Sequence, residues 1–344
     1  MLRLRVGFSE NLRLEPLIDG AVKPQGIELE FVTASPGELF YRNLEHDEFD
    51  VFEMSISEYL MVKATPEPSK WQWSALPVFP RKAFNWLNLC VHVEAGIENA
   101  ADLKGKRVGV PDYPMTASLW MRIVLKELYG LKASDICWHI GRAKEASHGG
   151  VFGLDKNPPA GVSLNWLNEN QTLDRMLENG ELDAAFWIVP APRARLGKFP
   201  DFDRYGGTRI EGNPRIRRLF PDRGQAIIRE YFSKIHVLPV NHVVVVQNRV
   251  LKEHPWAALE LYRAFQRSKE VAYERARRWA SAYLLFEGDD YKRQEAVFGP
   301  DPYVFGLAKN RTMLEILIRG SHEEGLIPKP LRVEDLFYRS TLDT

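Results

Sequence analysis

Several stretches of this 344-residue chain carry groups able to move protons or hold anions, next to segments that read as buried strands. Glu53 closes the run Phe49-Asp50-Val51-Phe52 and is followed by Met54 and Ser55. A carboxylate there can take or orient a proton. Ser55 can cap the helix that follows and still face a cleft. His242 heads the β-branched run Val243-Val244-Val245-Val246. A lone histidine beside a core strand is commonly a hydrogen-bonded structural residue. As a functional group, imidazole is the side chain best suited to proton transfer. Thr116 follows Pro111-Asp112-Tyr113-Pro114-Met115 and opens a helix. It reads as a cap. With Ala117 it also starts a set of amides whose outward N–H groups can hold a small carboxylate.

Other chemistries lack their motifs. There is no HExxH, no Walker loop, no GxSxG elbow and no GxGxxG after a strand. Cys90 and Cys137 lie in apolar strand-like runs without a nearby base or a CxxC partner, so nucleophile and disulfide roles are unsupported. No Cys/His spacing supports a protein-built transition-metal site, although a divalent ion stays compatible with the chemistry. Lys and Arg balance Asp and Glu at 46 each, which gives no pull toward nucleic acid or an anionic membrane. The basic spot Arg215-Ile216-Arg217-Arg218 reads as a solvated helix face.

The elements that must position these groups alternate between strand and helix. Strands are expected at Leu4 to Phe8, Ile27 to Val32, Phe49 to Phe52, Leu76 to Phe79 and Trp86 to Val93. Helices are expected at Leu12 to Asp19, Pro36 to Leu44 and Ser57 to Val62. A second unit has strands at Arg107 to Val110, Ile136 to His139 and Asp183 to Ile188. Its helices are Thr116 to Tyr129, closed by Gly130, and Leu173 to Asn179. Residues 141–161 are rich in Gly and Pro and read as a long surface excursion. Helices at Gln225 to Phe232, from Pro255 toward Ala282 and at Thr312 to Glu324 complete the reading. This order predicts an α/β protein of two lobes with a ligand cleft between them: residues 1–93 with 240–344 as lobe I, and 94–239 as lobe II. Ligands in open α/β sheets bind beyond the carboxyl ends of strands, which points to Ser9-Glu10-Asn11, Glu53-Met54-Ser55, Pro111 to Ala117 and Trp187 to Pro190. No apolar stretch is long enough to span a bilayer, and no secretory h-region follows Met1, so the chain is expected to be cytoplasmic.

Several segments together resemble the 4,5-dihydroxyphthalate decarboxylase family. They are Phe49 to Ser55, Asp102 to Ala117, Trp120-Met121-Arg122, Leu219-Phe220-Pro221-Asp222, Pro239-Val240-Asn241-His242, Glu253-His254-Pro255-Trp256 and Gly299 to Leu307. The resemblance runs in order along nearly the whole chain. It implies a type II periplasmic-binding-protein-like fold. It also implies an enzyme that removes CO₂ from a hydroxylated aromatic carboxylate without an organic cofactor. In that light Arg13, Lys82 and the Thr116-Ala117 amides are expected to hold a substrate carboxylate, with Ser55 nearby. Phe84 and Trp187 would wall the less polar end, His242 would protonate the ring carbon, and Glu53 would orient His242 or accept a phenolic proton. Where the family carries Tyr-Asp-Arg and Ser-Arg-x-Phe-Arg-His, this chain has Asn11-Leu12-Arg13 and Arg81-Lys82-Ala83-Phe84-Asn85-Trp86. These positions are expected to set its substrate. The competing expectation is a non-catalytic cytoplasmic carboxylate-binding protein or sensor, because fold alone does not fix function. The expected partner is a small aromatic carboxylate, and a homo-oligomer is compatible with the sequence.

Overall fold

The computed structural model describes residues 1–186, 208, 212–221, 224–283 and 289–344. Strand β1 (Leu2–Phe8) alternates exposed and buried residues until it enters the core. It pairs in parallel with β2 (Ile27–Thr33) and β3 (Val51–Ser55), through α1 (Glu15–Ile18) and α2 (Pro36–His46). Ser35 caps α2 by accepting from the Glu38 N–H, with Pro36 at the first helical position. After β3 come α3 (Ile56–Ala64) and β4 (Trp73–Lys82). The sheet order is β2-β1-β3-β11-β4, where β11 (Val240–Gln247) returns much later in the chain.

The direction of β11 is what builds the site. It runs antiparallel to both β3 and β4. Its first residues therefore lie at the same end of the sheet as the last residues of β1, β3 and β4. Val243 to Val246 are fully buried, as a central β-branched strand demands. The two prolines in β4, Pro77 and Pro80, are tolerated because β4 is the edge strand.

The second sheet has the order β10-β5-β9-β6-β7-β8. Its strands are β5 (Leu89–His92), β6 (Arg107–Val110), β7 (Cys137–Ile140), β8 (Ser163–Trp166), β9 (Ala184–Phe186) and β10 (Ile216–Arg218). Helices α4 (Thr116–Tyr129), α5 (His148–Val151), α6 (Leu173–Glu178) and α7 (Gln225–Ile235) accompany it. Gly130 ends α4 in the left-handed region at φ 68°, the conformation that favours glycine at a helix C-terminus. The chain then rejoins the first sheet through β11 and finishes with α8 (Asn248–Glu253), α9 (Ala257–Tyr283), α10 (Asp289–Phe298) and α11 (Arg311–Glu323). The whole is a two-lobed α/β fold of the type II periplasmic-binding-protein kind. Among the described residues no helix is long and apolar enough to cross a membrane.

Four expectations need correction. The strand expected at Trp86 to Val93 begins only at Leu89, because Asn85–Asn88 form a 3₁₀ turn that breaks the ladder after Lys82. β5 then pairs with β9 and β10, so the chain enters the second sheet between Lys82 and Leu89 rather than at residue 93. Arg215 to Arg218 is not a helix face; Ile216 to Arg218 is a strand held on β5, with the Arg217 guanidinium on the Ile97 carbonyl and Glu98. Residues 141–161 are a surface excursion only in part: Arg142, Ser147 and His148 are buried, whereas 156–158 and 160–161 are exposed.

Candidate active site

At the shared end of β1, β3 and β11 the fold brings a carboxylate and an imidazole together. Glu53 is fully buried on β3. His242 on β11 lies opposite Ser55 in the ladder, with Val244 opposite Glu53. Side chains two apart share a face, so Glu53 reaches diagonally to His242. The Glu53 Oε1 to His242 Nδ1 distance is 2.5 Å. The other oxygen, Oε2, accepts from the Ser9 hydroxyl at 2.6 Å and from the Ser9 N–H at 2.9 Å. Burial works to raise the Glu53 pKa. The His242 charge, the His242 hydrogen bond and the two bonds from Ser9 outweigh it and hold the carboxyl down to about 2.

An ionised carboxylate only accepts, so Nδ1 carries the shared hydrogen and Nε2 is left for another partner. Among the described residues Nε2 makes no hydrogen bond, and 12% of the side chain stays exposed. The Phe40 ring meets the imidazole edge-on at 5.0 Å and fixes its plane. The arrangement is an oriented imidazole with one nitrogen available for proton transfer.

Ser55 and Thr116 meet each other across the lobes. Their hydroxyl oxygens are 2.9 Å apart, the Thr116 N–H donates to Ser55 Oγ at 3.3 Å, and the Ser57 N–H donates to Thr116 Oγ1 at 3.1 Å. Ser55 therefore precedes α3 without capping it, and the α4 N-cap residue is Met115 rather than Thr116. Ala117 is buried beside them.

The expected cations are spread along the end of the same sheet. Arg13 donates to the Pro80 carbonyl at 2.7 Å and stacks on the Tyr303 ring at 3.8 Å. Lys82 is turned into the protein, donating to Asn310 Oδ1 at 2.7 Å and to the Val304 carbonyl at 2.9 Å. Burial, opposed by Asp301 and reinforced by Lys269, pushes the Lys82 ammonium down to about 7. Phe84 packs on Trp86, Tyr231 and Phe298. Trp187 lies outside the described residues. Of the positions expected to set the substrate, Leu12 is exposed, Asn85 bonds Asn241 at 2.9 Å, and Trp86 is buried on Phe220 and Tyr231.

Sequence reasoning missed Ser9 as a partner of Glu53. Its position just past β1 was the available signal. It also missed a second buried cluster between the lobes. His148 Nδ1 lies 2.9 Å from Glu58 Oε1, its Nε2 lies 3.0 Å from the Gly37 carbonyl, and its N–H donates to Asp112 at 2.7 Å. His148 is fully buried with both ring nitrogens engaged, so it has nothing to offer a ligand. Among the described residues no three His, Cys, Asp or Glu side chains converge as a metal site.

The chain as a whole has relatives among known proteins. A 4,5-dihydroxyphthalate decarboxylase from Comamonas testosteroni is 33% identical over 345 residues, spanning 100% of this chain and 98% of its own length. The chain belongs to the 4,5-dihydroxyphthalate decarboxylase family. A second member, from Pseudomonas putida, is 40% identical over 221 residues, 64% of this chain and 78% of its own. No family model matches the sequence. Among solved structures, the periplasmic aliphatic sulphonate binding protein SsuA of Escherichia coli aligns over 99% of both chains with a TM-score of 0.53 at 12% identity. The alkanesulfonate-binding protein SsuA of Xanthomonas axonopodis pv. citri, bound to MOPS, aligns over 98% of both chains with a TM-score of 0.52 at 14% identity. The likeness to these two is one of fold.

Proposed function

We propose that this carboxy-lyase removes CO₂ from a hydroxylated aromatic carboxylate of the 4,5-dihydroxyphthalate type, with His242 as the proton donor and Glu53 as the residue that positions it. The observation that carries the proposal is the Glu53–His242 pair, which occupies Nδ1 and, among the described residues, leaves Nε2 without a partner. The imidazolium Nε2–H gives its proton to the ring carbon that bears the leaving carboxylate. The bond from that carbon to the carboxylate then breaks, its electrons restore the aromatic ring, and neutral CO₂ departs. His242 regains a proton from water, so each turnover consumes one proton and forms one C–H bond. A ring hydroxyl para to the protonated carbon feeds electron density into it, and in 4,5-dihydroxyphthalate each carboxyl has such a hydroxyl. Glu53 stabilises the imidazolium and fixes its tautomer, as an orienting carboxylate does in other acid–base sites. The scheme needs no organic cofactor.

The test is CO₂ release by the pure protein from 4,5-dihydroxyphthalate, dihydroxybenzoates and phthalate. Release is expected from the first. His242→Asn, whose amide can still donate to Glu53, is expected to lower kcat by about a hundredfold or more with the fold intact by circular dichroism. Undiminished turnover in that variant removes His242 from the proton role. Thermal stabilisation by these acids with no CO₂ from any of them favours a carboxylate-binding protein instead.

A further inference from the structure

His148 belongs to one lobe by its backbone and to the other by its ring. Its N–H donates to Asp112 Oδ2 at 2.7 Å, and the Ser147 hydroxyl donates to Asp112 Oδ1 at 3.0 Å, which ties the start of α5 to the end of β6 in lobe II. The ring is inserted between α2 and α3 of lobe I. Nδ1 lies 2.9 Å from Glu58 Oε1, Nε2 lies 3.0 Å from the Gly37 carbonyl, and the Phe40 ring packs on the imidazole at 6.2 Å. One turn along α2 from Gly37, the Tyr41 hydroxyl donates to the Glu145 carbonyl at 3.2 Å. Parting the lobes here means drawing His148 out of lobe I.

The hydrogens in this contact follow from its acceptors. A carbonyl oxygen only accepts, so Nε2 carries one. Glu58 is fully buried, and its Oε2 has no hydrogen-bond partner among the described residues. A bare Nδ1 lone pair facing an ionised Glu58 would be repulsive, so the contact holds a second hydrogen, shared between Nδ1 and Oε1. The buried charges agree. Glu58 comes from α3, Asp112 from the end of β6 and Arg142 from the end of β7, with Arg142 Nη1 3.4 Å from Asp112 Oδ2 and 3.1 Å from Nδ1. From α2 the ring meets Gly37 and Phe40, and the Glu38 carboxylate of that helix is paired with Arg42. His242 lies beyond the Phe40 ring. Among the described residues two carboxylates thus face one guanidinium, and a proton on the Glu58–His148 pair cancels the excess negative charge.

We infer that closure of the lobes takes up one proton, held between His148 and Glu58, and that this pair is a latch which a rise in pH releases. Drawn out into water, Glu58 becomes an ordinary carboxylate and His148 an ordinary imidazole, which gives up its proton above about pH 6.5. The closed form keeps the proton and the open form loses it, so the opening constant grows with pH. The latch is separate from the chemistry proposed for His242, because Glu53 and His242 both belong to lobe I. It governs the fraction of the protein that is closed around a ligand.

Two amides read the opening directly. The Ser57 N–H is bonded to Thr116 Oγ1 and the Thr116 N–H to Ser55 Oγ, each across the lobes. Their hydrogen exchange, corrected for the intrinsic rate, is measured without ligand in wild type, Glu58→Gln and His148→Gln from about pH 6 to about pH 9. In wild type the opening constant is expected to rise about tenfold per pH unit above about pH 6.5. Glu58→Gln should be flat. A neutral imidazole then accepts from the new amide at Nδ1 and still donates to Gly37, so the lobes close without the extra proton. His148→Gln should also be flat, because no titrating ring remains. A wild-type opening constant independent of pH, or one that still climbs with pH in a folded Glu58→Gln protein, overturns the inference. Circular dichroism checks the fold, and if His148→Gln does not fold, the comparison of wild type with Glu58→Gln decides.

Discussion

Replacing Glu53 by Gln keeps the shape of the side chain and removes its charge. In the structure that charge accepts two bonds from Ser9 and one from His242. The folded carboxyl is held at about 2 against an ordinary 4.5, the net result of burial raising it and His242 and Ser9 lowering it. A group whose folded pKa is depressed stabilises the fold above its unfolded pKa. That stabilisation is lost as pH falls through the folded value. At about 1.4 kcal/mol per pH unit, Glu53 contributes about 3 kcal/mol at neutral pH. Glu53→Gln should therefore lower stability by about 3 kcal/mol at pH 7. The gap to wild type should hold down to about pH 4.5 and shrink to about half near pH 3. Urea denaturation of both proteins at intervals from pH 7 to pH 3 measures it. The same variant should lower kcat by roughly 10²- to 10⁴-fold, because the imidazole loses its orienting charge. A stability gap that does not change with pH, or a variant retaining most of its kcat, would refute the view that Glu53 works as an ionised partner of His242.

Two further changes probe neighbouring parts of the site. Ser55→Ala removes the hydroxyl that bridges to Thr116 and leaves buried polar groups unpaired; a loss of about 1–3 kcal/mol is expected in chemical denaturation. Lys82, held at about 7 by burial, binds its proton more weakly folded than unfolded, so wild-type stability should gain a rising component between about pH 7 and 10.5. Lys82→Met should flatten that rise in pH-dependent denaturation curves.

Much of the site was legible because its residues announce themselves locally. Helix α4 runs from Thr116 to Tyr129, as its Pro-rich entry and Gly130 exit predict, and Glu53 and His242 stand at strand ends that their apolar runs define. What escaped depends on partners far away in sequence. Ser9 bonds a carboxylate 44 positions later, and the Glu53–His242 bond spans 189 positions and forms only once β11 has paired with β3. The three residues of β10 owe their strand state to β5, since Arg217 and Arg218 have no apolar pattern to reveal it. Residues 141–161 look like loop by their Gly and Pro content. His148 is nonetheless buried because Glu58, Gly37 and Asp112 converge on it from separate elements. A propensity reading has no access to that kind of burial.

The sequence also directs attention to the N-terminus of α4 as the place where an anion is gripped. In the structure the first amide of that helix faces a hydroxyl from the other lobe, and a ligand carboxylate would have to displace Ser55 to reach it. The proton-handling groups are arranged differently. Glu53 comes from β3, His242 from β11 and Ser9 from the end of β1, so all three hang on one sheet. Any relative movement of the lobes that parted Ser55 from Thr116 would leave their mutual distances unchanged, because β-ladder register and not lobe contact sets them. The Glu53–His242 pair is thus pre-formed in one lobe. Contact between the lobes can add only what a closed site adds to such a pair, the exclusion of water from a carboxylate that must leave as a neutral molecule.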